Sequence, residues 1–274
     1  MMGRRLALVA LICVLAACGD DDNGGHRATA TPTAVPTATP AGAVELVETD
    51  ARVELRTEAA AVVITREPFR LAFADRAGNE LAAQSTGRLR AVTAGGDCAV
   101  TALGDLRFDQ PSGRFDADVE TSCGTGTLAI EWPSARAVRV IFTPPAGAAP
   151  EALADTWALA PGERIYGLSE RLTDSRPLNG VPGILQIDEI NPREVGTLDR
   201  RGEKIQMLVQ GTVGVYAPFH QSSAGYGLFV EGTAVGAYDV GATDAEALDF
   251  QFTAGTTPAS RTLRYVLFAG TPAG

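Results

Sequence analysis

The sequence predicts an all-β fold, a large β-sandwich with at most one or two short helices. Beyond about residue 44, apolar residues recur with a period of two or in short continuous runs, which is typical of strands. The 274 residues include 30 glycines and 16 prolines, which favour many turns and few long helices. Because 45% of the residues are hydrophobic, the chain can bury a sizeable core. We therefore expect residues 44–274 to form one large β domain.

The predicted strands form two groups along the chain. The first group comprises residues 52–56, 61–65, 70–75, 88–92, 114–120, 127–132 and 137–143. The second comprises residues 164–168, 184–187, 205–209, 226–231, 234–238, 247–252 and 262–268. Residues 75–79 are predicted to be a hairpin loop, since Gly78 can adopt a positive φ. Helical signals are weak, and residues 150–154 and 192–198 are each predicted to form one or two helical turns.

The start of the chain has the features of an export signal. Arg4 and Arg5 precede an apolar run at 6–17, which is too short to span a bilayer but has the length of a secretory signal. The run ends in LAACG at 15–19, which resembles the lipobox of bacterial lipoproteins. We therefore expect a signal peptide at 1–17, lipidation of Cys18, and an exported lipoprotein anchored to a membrane in the periplasm or at the cell surface. In the alternative, Cys18 is one more apolar residue of an uncleaved or differently cleaved signal.

Residues 18–43 are predicted to form a linker. The stretch at 28–42 reads ATATPTAVPTATPAG, without charged or aromatic side chains, so it cannot bury a core. Its alternating proline favours extended, polyproline-like conformations. We expect it to act as a tether between the lipid anchor and the folded domain.

The charge balance argues against nucleic-acid binding. The chain has 33 acidic and 23 basic side chains, a formal net charge of −10, and Lys204 is its only lysine. A nucleic-acid-binding domain needs a basic surface that displaces counterions. No nucleic-acid partner is expected.

Two of the four cysteines are predicted to pair. Cys13 lies in the signal and Cys18 is assigned to lipid, which leaves Cys98 and Cys123. Disulfides are common in exported proteins, so we expect these two to form one. The alternative is a pair of buried free thiols.

Residues for catalysis or metal binding are scarce. Of the two histidines, His26 precedes the predicted domain, which leaves only His220 within it. We therefore expect no His-rich metal site and no Ser/His/Asp triad. No cofactor is expected either. His220 is interpreted either as a hydrogen-bonded loop residue or as a base. Carboxylates are abundant, and they include Glu163, Glu170, Asp188, Glu189 and Asp199. Two such carboxylates can act as the acid and the base that hydrolyse a glycoside. The alternative is that these residues are solvated charges in loops.

Three segments resemble the amino-terminal domain of family 31 glycoside hydrolases, the α-glucosidase and α-xylosidase group. Residues 163–171, ERIYGLSER, resemble the family's E-x-x-Y-G-L-G-E-R motif, with Ser169 at the position of a glycine. Residues 216–230 resemble its Y-x-P-F…S-x-x-G-Y-G-x-F-V segment, and 263–272 resemble its Y-x-F-x-G-x-x-P strand. The resemblance implies a galactose-mutarotase-like β-sandwich. Gly167, Gly225 and Gly227 are expected in tight turns and close strand packing.

The resemblance also implies what this domain does not contain. In the family, the nucleophile and acid aspartates lie on a (β/α)8 barrel that follows the domain, in a W-x-D-M-N type of motif. Neither Trp132 nor Trp157 is part of such a motif. We therefore expect no catalytic residue here and a non-catalytic domain that supports the barrel and lines its α-glycoside cleft.

A loop at 173–201 is the candidate that the resemblance places at the rim of the sugar cleft. The charged side chains of this loop can form hydrogen bonds with sugar hydroxyls. At the same edge, an aromatic platform for the sugar is expected from Tyr216, Phe219 and Tyr226, which are alternatively core residues. The predicted substrate-binding residues are Asp188, Glu189, Asp199, Arg200, Arg201, Tyr216, Phe219 and His220. The alternative for the loop is a solvated surface segment.

Two other functions remain open from the sequence. One is a stand-alone surface lipoprotein that binds carbohydrate without cleaving it. The other is a sugar epimerase of the mutarotase type, whose chemistry needs an acid and a base in one cleft. This function is disfavoured because His220 is the only histidine within the predicted domain.

Overall fold

The protein folds into two antiparallel sheets, which the computed structural model describes for residues 43–85, 88–168, 199–207, 217–257 and 259–270. These residues belong to a unit that spans 38–274. The predicted signal peptide, Cys18 and the stretch at 28–42 lie outside the described residues, as do the predicted strand at 184–187 and helical turn at 192–198. The all-β prediction is confirmed.

The strands are numbered β1 to β18 in chain order. They are β1 (Glu45–Glu48), β2 (Arg52–Arg56), β3 (Ala60–Thr65), β4 (Arg70–Asp75), β5 (Glu80–Ala83), β6 (Arg90–Thr93), β7 (Gly96–Asp109), β8 (Arg114–Thr121), β9 (Gly124–Ser134), β10 (Ala137–Thr143), β11 (Ala152–Ala158), β12 (Ile165–Gly167), β13 (Glu203–Met207), β14 (Phe219–Ser222), β15 (Tyr226–Val230), β16 (Gly236–Val240), β17 (Ala247–Thr253) and β18 (Leu263–Ala269). The helical structure in the described part of the chain is a 3-10 turn at Ala259–Arg261.

The first sheet is a meander of β1 to β5, and the second has thirteen strands in the order β12-β14-β15-β18-β10-β9-β8-β7-β6-β11-β17-β16-β13. The long strand β7 links two halves of this second sheet. Its start pairs with β6 and its remainder with β8, where the register shifts between Val100 and Ala102 and between Leu103 and Leu106. Such irregularities bend a strand, so β7 can belong to both halves.

One apolar core joins the two sheets. Along β8 the side chains alternate between buried and partly exposed positions, as expected of a strand with one face in the core. The rings of Trp157 on β11 and Tyr265 on β18 meet edge to face, with centroids 6.2 Å apart. Gln84, which follows β5, bridges to Trp157, so the meander contacts the larger sheet at this point.

The predicted helical turn at 150–154 is wrong, because this segment leads into β11. Its residues ALADTWA are buried on both faces, except for the last one, between β6 and β17. A strand covered on both faces shows no alternation, and the tertiary context overrides the helix propensity of alanine.

Strands β1, β5, β7 and β14 are also not predicted from the sequence. The short strands β1, β5 and β14 offer few residues for a periodic pattern. In β7, Gly96, Gly104 and the two register shifts interrupt the apolar alternation. Gly104 lies close to the neighbouring strand, since a Cβ there would be 3.3 Å from the carbonyl oxygen of Asp118.

The predicted hairpin loop at 75–79 is confirmed. Gly78 has a φ of +84°, and the Asp75 N–H donates to the Asn79 carbonyl over 3.0 Å. A disulfide bond joins Cys98, on β7, to Cys123, in the turn between β8 and β9, with the Cα atoms 5.5 Å apart. In the described ranges, no helix has the length and apolar character needed to cross a membrane.

Candidate functional site

The three segments that resemble the glycoside hydrolase motifs lie side by side in one sheet. Strand β12 pairs with β14, β14 with β15, and β15 with β18. These strands, with the turns and loop ends next to them, contain the matching residues of 163–171, 216–230 and 263–272 that the structure describes. We call this four-stranded edge the motif edge. Residues from three separate stretches of the sequence thus form one local structure.

A buried carboxylate lies at the start of the motif edge. Glu163 is 6% exposed and accepts hydrogen bonds from the Ser222 hydroxyl and, over 2.8 Å, from the Ala160 N–H. The Ser222 oxygen in turn accepts from the Ala224 N–H over 2.9 Å. A buried charge needs such partners because its removal from water is otherwise costly. The first residue of one motif is therefore held by the serine of the next.

The glycines of the motifs allow close strand packing. Gly167 has a φ of +101°, and a Cβ there would lie 2.6 Å from the carbonyl oxygen of Phe219. The same carbonyl accepts from the Leu168 N–H over 2.8 Å. Gly225 has a φ of +94° in the turn between β14 and β15, and a Cβ on Gly227 would lie 3.1 Å from the Phe219 ring. These glycines have the roles expected from the sequence.

Three of the predicted substrate-binding residues bind the backbone next to β12. The Asp199 carboxylate accepts from the N–H groups of Ile165, over 2.9 Å, and Arg201, over 3.1 Å. Arg200 is 7% exposed, and its Nε donates to the Gly167 carbonyl over 3.0 Å. Its guanidinium also forms an ion pair with Glu203 at 3.2 Å.

Arg201 connects three separate loops. Its Nη1 donates to the carbonyls of Ala160, over 2.8 Å, and Glu163, over 2.9 Å, and its Nη2 donates to Ala245 over 2.6 Å. Arginine suits this position because its planar fork carries several donors. The contacts of Asp199, Arg200 and Arg201 hold the loops around β12, and their binding of sugar stays a prediction.

His220 lies in the core and not in a loop. It is part of β14, is 1% exposed, and neither ring nitrogen has a hydrogen-bond partner among the described residues. Its ring meets those of Tyr226 and Tyr238 edge to face, each with centroids 6.0 Å apart. Burial lowers the pKa of His220 to about 3. The imidazole is therefore neutral over the ordinary pH range.

Tyr226 and Phe219 lie on opposite faces of the sheet, so they do not form one aromatic platform. Tyr226 is opposite Ser222 in the register and faces the core, 1% exposed, whereas Phe219 is partly exposed. Burial, together with the nearby carboxylate of Glu163, raises the pKa of Tyr226 well above its usual value. On the outer face the Phe219 ring instead meets Phe268, with centroids 6.2 Å apart.

The remaining predicted substrate-binding residues, Asp188, Glu189 and Tyr216, lie outside the described residues. In the part of the chain that the structure describes, no group of three or more His, Cys, Asp or Glu residues is placed to hold a metal ion.

A second buried polar cluster is not predicted from the sequence. Asp155 on β11 is fully buried and accepts from Gln84 over 2.6 Å, from the Tyr265 hydroxyl over 2.7 Å and from the Thr156 N–H over 2.8 Å. Burial raises the pKa of Asp155 to about 6, although these hydrogen bonds favour the ionised form. The available signal is one acidic residue within the apolar run ALADTWALA at 152–160.

No protein-family model and no curated protein sequence matches the chain. Similar solved structures include the cycloalternan-forming enzyme from Listeria monocytogenes in complex with a pentasaccharide substrate, at 13% identity and a TM-score of 0.48. They also include a GH31 α-xylosidase from a soil metagenome complexed with xylose, at 16% identity and a TM-score of 0.44. A third is a GH31 family sulfoquinovosidase from E. rectale, at 9% identity and a TM-score of 0.42.

The three similarities extend over most of this chain and a small part of each enzyme. They cover 84%, 85% and 83% of this chain, but 16%, 25% and 32% of the respective enzymes. The chain thus spans at most about a third of the length of these enzymes. The α-xylosidase and the sulfoquinovosidase are both described as GH31 enzymes.

Proposed function

We propose that residues 44–274 are the amino-terminal, non-catalytic β-sandwich domain of an exported family 31 glycoside hydrolase. The observation that carries the proposal is the motif edge. Segments that resemble the family at separate places in the sequence become neighbouring strands, and Glu163 of one segment is bonded to Ser222 of another. A chance match of short motifs gives no reason for such a contact.

The contacts of these residues support a structural role. Glu163, Gly167 and Arg201 are each used to hold strands or loops together. A catalytic carboxylate needs instead to reach a substrate from a cleft. The domain would stabilise a catalytic barrel and contribute one wall of its α-glycoside cleft.

Export and lipid anchoring at Cys18 are part of the same proposal. They rest on the charged start, the apolar run and the LAACG sequence at 15–19. The disulfide between Cys98 and Cys123 fits an oxidising compartment such as the periplasm or the cell exterior.

The enzymatic part of the proposal is tested with the full purified chain and chromogenic 4-nitrophenyl α-glucoside and α-xyloside. We expect no release of 4-nitrophenol above the buffer rate, and an enzyme-like rate would contradict a non-catalytic domain. Calorimetric titration with α-linked disaccharides then tests whether this domain contacts sugar by itself. Measurable heat without hydrolysis would favour the second candidate, a carbohydrate-binding lipoprotein.

A further inference from the structure

A row of alternating charges crosses the outer face of the thirteen-stranded sheet. Arg114 pairs with Asp116 and Glu131, and Arg139 pairs with Glu131 at 3.1 Å and with Glu231 at 2.9 Å. We call these five residues the charge row. Each of its members has an oppositely charged neighbour, so the row needs no external ion.

Arg264 lies beside the charge row without a counterion. It is exposed on β18, opposite Ile141 of β10, and its side chain has no hydrogen bond or ion pair among the described residues. A groove of about 480 Å³ is lined by this arginine, by members of the charge row and by two threonines whose hydroxyls are 3.3 Å apart, Thr143 and Thr262. The groove thus presents hydroxyls, carboxylate acceptors and one free guanidinium.

A second, more apolar cavity adjoins this groove. Its volume is about 530 Å³, and it shares Glu231, Thr262 and Arg264 with the groove. Its other walls include Val230, Leu263 and the 48% exposed Val235. Both volumes lie within the range of about 300–1,000 Å³ that is usual for small-molecule sites.

We propose that this groove binds an acidic sugar, a saccharide that carries a carboxylate. A neutral sugar would use the glutamates as acceptors for its hydroxyls and would offer Arg264 only uncharged oxygens, without the opposite charge that a guanidinium pairs with most strongly. A simple inorganic anion would pair with Arg264 but would face Glu131 and Glu231, which have the same sign. An acidic sugar suits both Arg264 and the two glutamates. Its carboxylate pairs with the guanidinium of Arg264, and its hydroxyls donate hydrogen bonds to the glutamates. The apolar cavity accommodates the C–H face of the ring.

The inference does not depend on the proposed function, since it concerns only side chains of this groove. The test uses the full chain and a matched pair of probes, D-glucuronate and D-glucose, which differ at C6 by a carboxylate against a hydroxymethyl group. Affinities are measured by ligand-observed NMR titration. We expect glucuronate to bind at least about tenfold more tightly than glucose, because only glucuronate forms the charge-assisted contact.

Variants assign the contact to Arg264. Arg264→Gln is expected to lower the affinity for glucuronate about tenfold without changing that for glucose, and Arg264→Lys to have an intermediate effect. Arg52→Gln, at an exposed arginine of the other sheet, is the control and should change neither affinity. Circular dichroism checks that each variant is folded.

The proposal would be overturned by equal binding of glucuronate and glucose, by unchanged glucuronate affinity in Arg264→Gln, or by displacement of glucuronate by an equal concentration of sulfate. The last result would show a general anion site. A change in Arg264→Gln that is matched by Arg52→Gln would also contradict it, since the effect would then reflect net charge and not a local contact.

Discussion

The carboxylate of Glu163 accepts a hydrogen bond from the hydroxyl of Ser222, 59 residues further along the chain. Both side chains are buried, at 6% and 2% exposure. The bond connects the loop before β12 to the end of β14, and so joins two of the segments that resemble family 31. It makes the motif edge a single unit whose stability can be measured.

Replacing Ser222 is expected to destabilise the fold. In Ser222→Ala the Glu163 carboxylate loses a donor while it stays buried, which should lower the free energy of unfolding by about 1.5–3 kcal/mol. Urea denaturation monitored by tryptophan fluorescence measures the change. The control is Ser112→Ala, where an exposed hydroxyl bonds the Asp109 carboxylate, and the expected loss is at most about 0.5 kcal/mol. Equal losses in both variants would contradict the role of the Glu163–Ser222 contact.

A methyl group at Gly167 is expected to push β12 away from β14. The added Cβ would lie 2.6 Å from the Phe219 carbonyl, and the φ of +101° is unfavourable for alanine. We expect Gly167→Ala to lower the free energy of unfolding by at least about 2 kcal/mol in urea denaturation. The matched control is Gly147→Ala, where the added atom meets nothing within 4 Å. A Gly167→Ala variant as stable as this control would show that the strands do not need to approach so closely.

His220 is expected to make the fold sensitive to acid. Its pKa is about 3 in the fold and about 6.5 in the unfolded chain, so the unfolded state binds more protons between these values. The stability that comes from the neutral imidazole is therefore complete above pH 6.5 and is lost as the pH falls toward 3. By pH 4.5 the loss amounts to roughly 3 kcal/mol.

His220→Phe keeps an aromatic ring between Tyr226 and Tyr238 and removes this titration. Urea denaturation at pH 7.5 and 4.5 should show a smaller difference between the two pH values for the variant than for the wild type. If the variant loses as much stability as the wild type on acidification, His220 is not excluded from protonation in the fold.

Asp155 is expected to lower the stability of the fold as the pH rises, which is the opposite of the effect of His220. Its pKa is about 6 in the fold and about 3.8 in the unfolded chain, so the folded state binds more protons between pH 3.8 and 6. Stability from this carboxyl group is therefore present below pH 3.8 and falls by roughly 3 kcal/mol as the pH rises through 6.

Asp155→Asn is expected to abolish this loss, although its absolute stability is lower because the amide cannot accept all three hydrogen bonds of Asp155. The comparison is the change in free energy of unfolding from pH 4 to pH 7, with the exposed Asp105→Asn as control. The same pH dependence in Asp155→Asn and in the control would rule out a raised pKa at Asp155.

Lipid anchoring is expected to depend on Cys18. In a bacterial host, the full chain should be found in the membrane fraction and incorporate labelled fatty acid. Cys18→Ala removes the only thiol in the LAACG sequence and should abolish the labelling, whereas Cys13→Ala, within the apolar run, should not. Labelling that persists in Cys18→Ala would contradict anchoring at this residue.

The fold class could be predicted from the sequence because several strands alternate between buried and partly exposed positions, as β8 and β16 do. The prediction failed at β11, where both faces are covered by neighbours far away in the sequence. It also missed β7, whose register shifts fit it to two different partners. Whether a strand is buried on both faces, and where it changes its pairing partner, depends on the assembled sheet. The local sequence pattern therefore does not predict these features.

The candidate site was predicted as a set of segments but not in its contacts. Resemblance pointed to Glu163 and Gly167, and the structure gives both a physical role. The guanidinium of Arg201 binds three carbonyls that lie 38 to 44 residues away, which no spacing in the sequence indicates. Likewise, Arg264 is recognisable as an unpaired cation only once the charge row is assembled beside it.

The most direct test of the central proposal is to determine the coding sequence that follows the codon for Gly274. The proposal predicts an open reading frame that continues into a (β/α)8 barrel with the two family 31 aspartates, one of them in a W-x-D-M-N type of motif. A stop codon at this position, confirmed by the mass of the native protein, would contradict it and favour a stand-alone carbohydrate-binding lipoprotein.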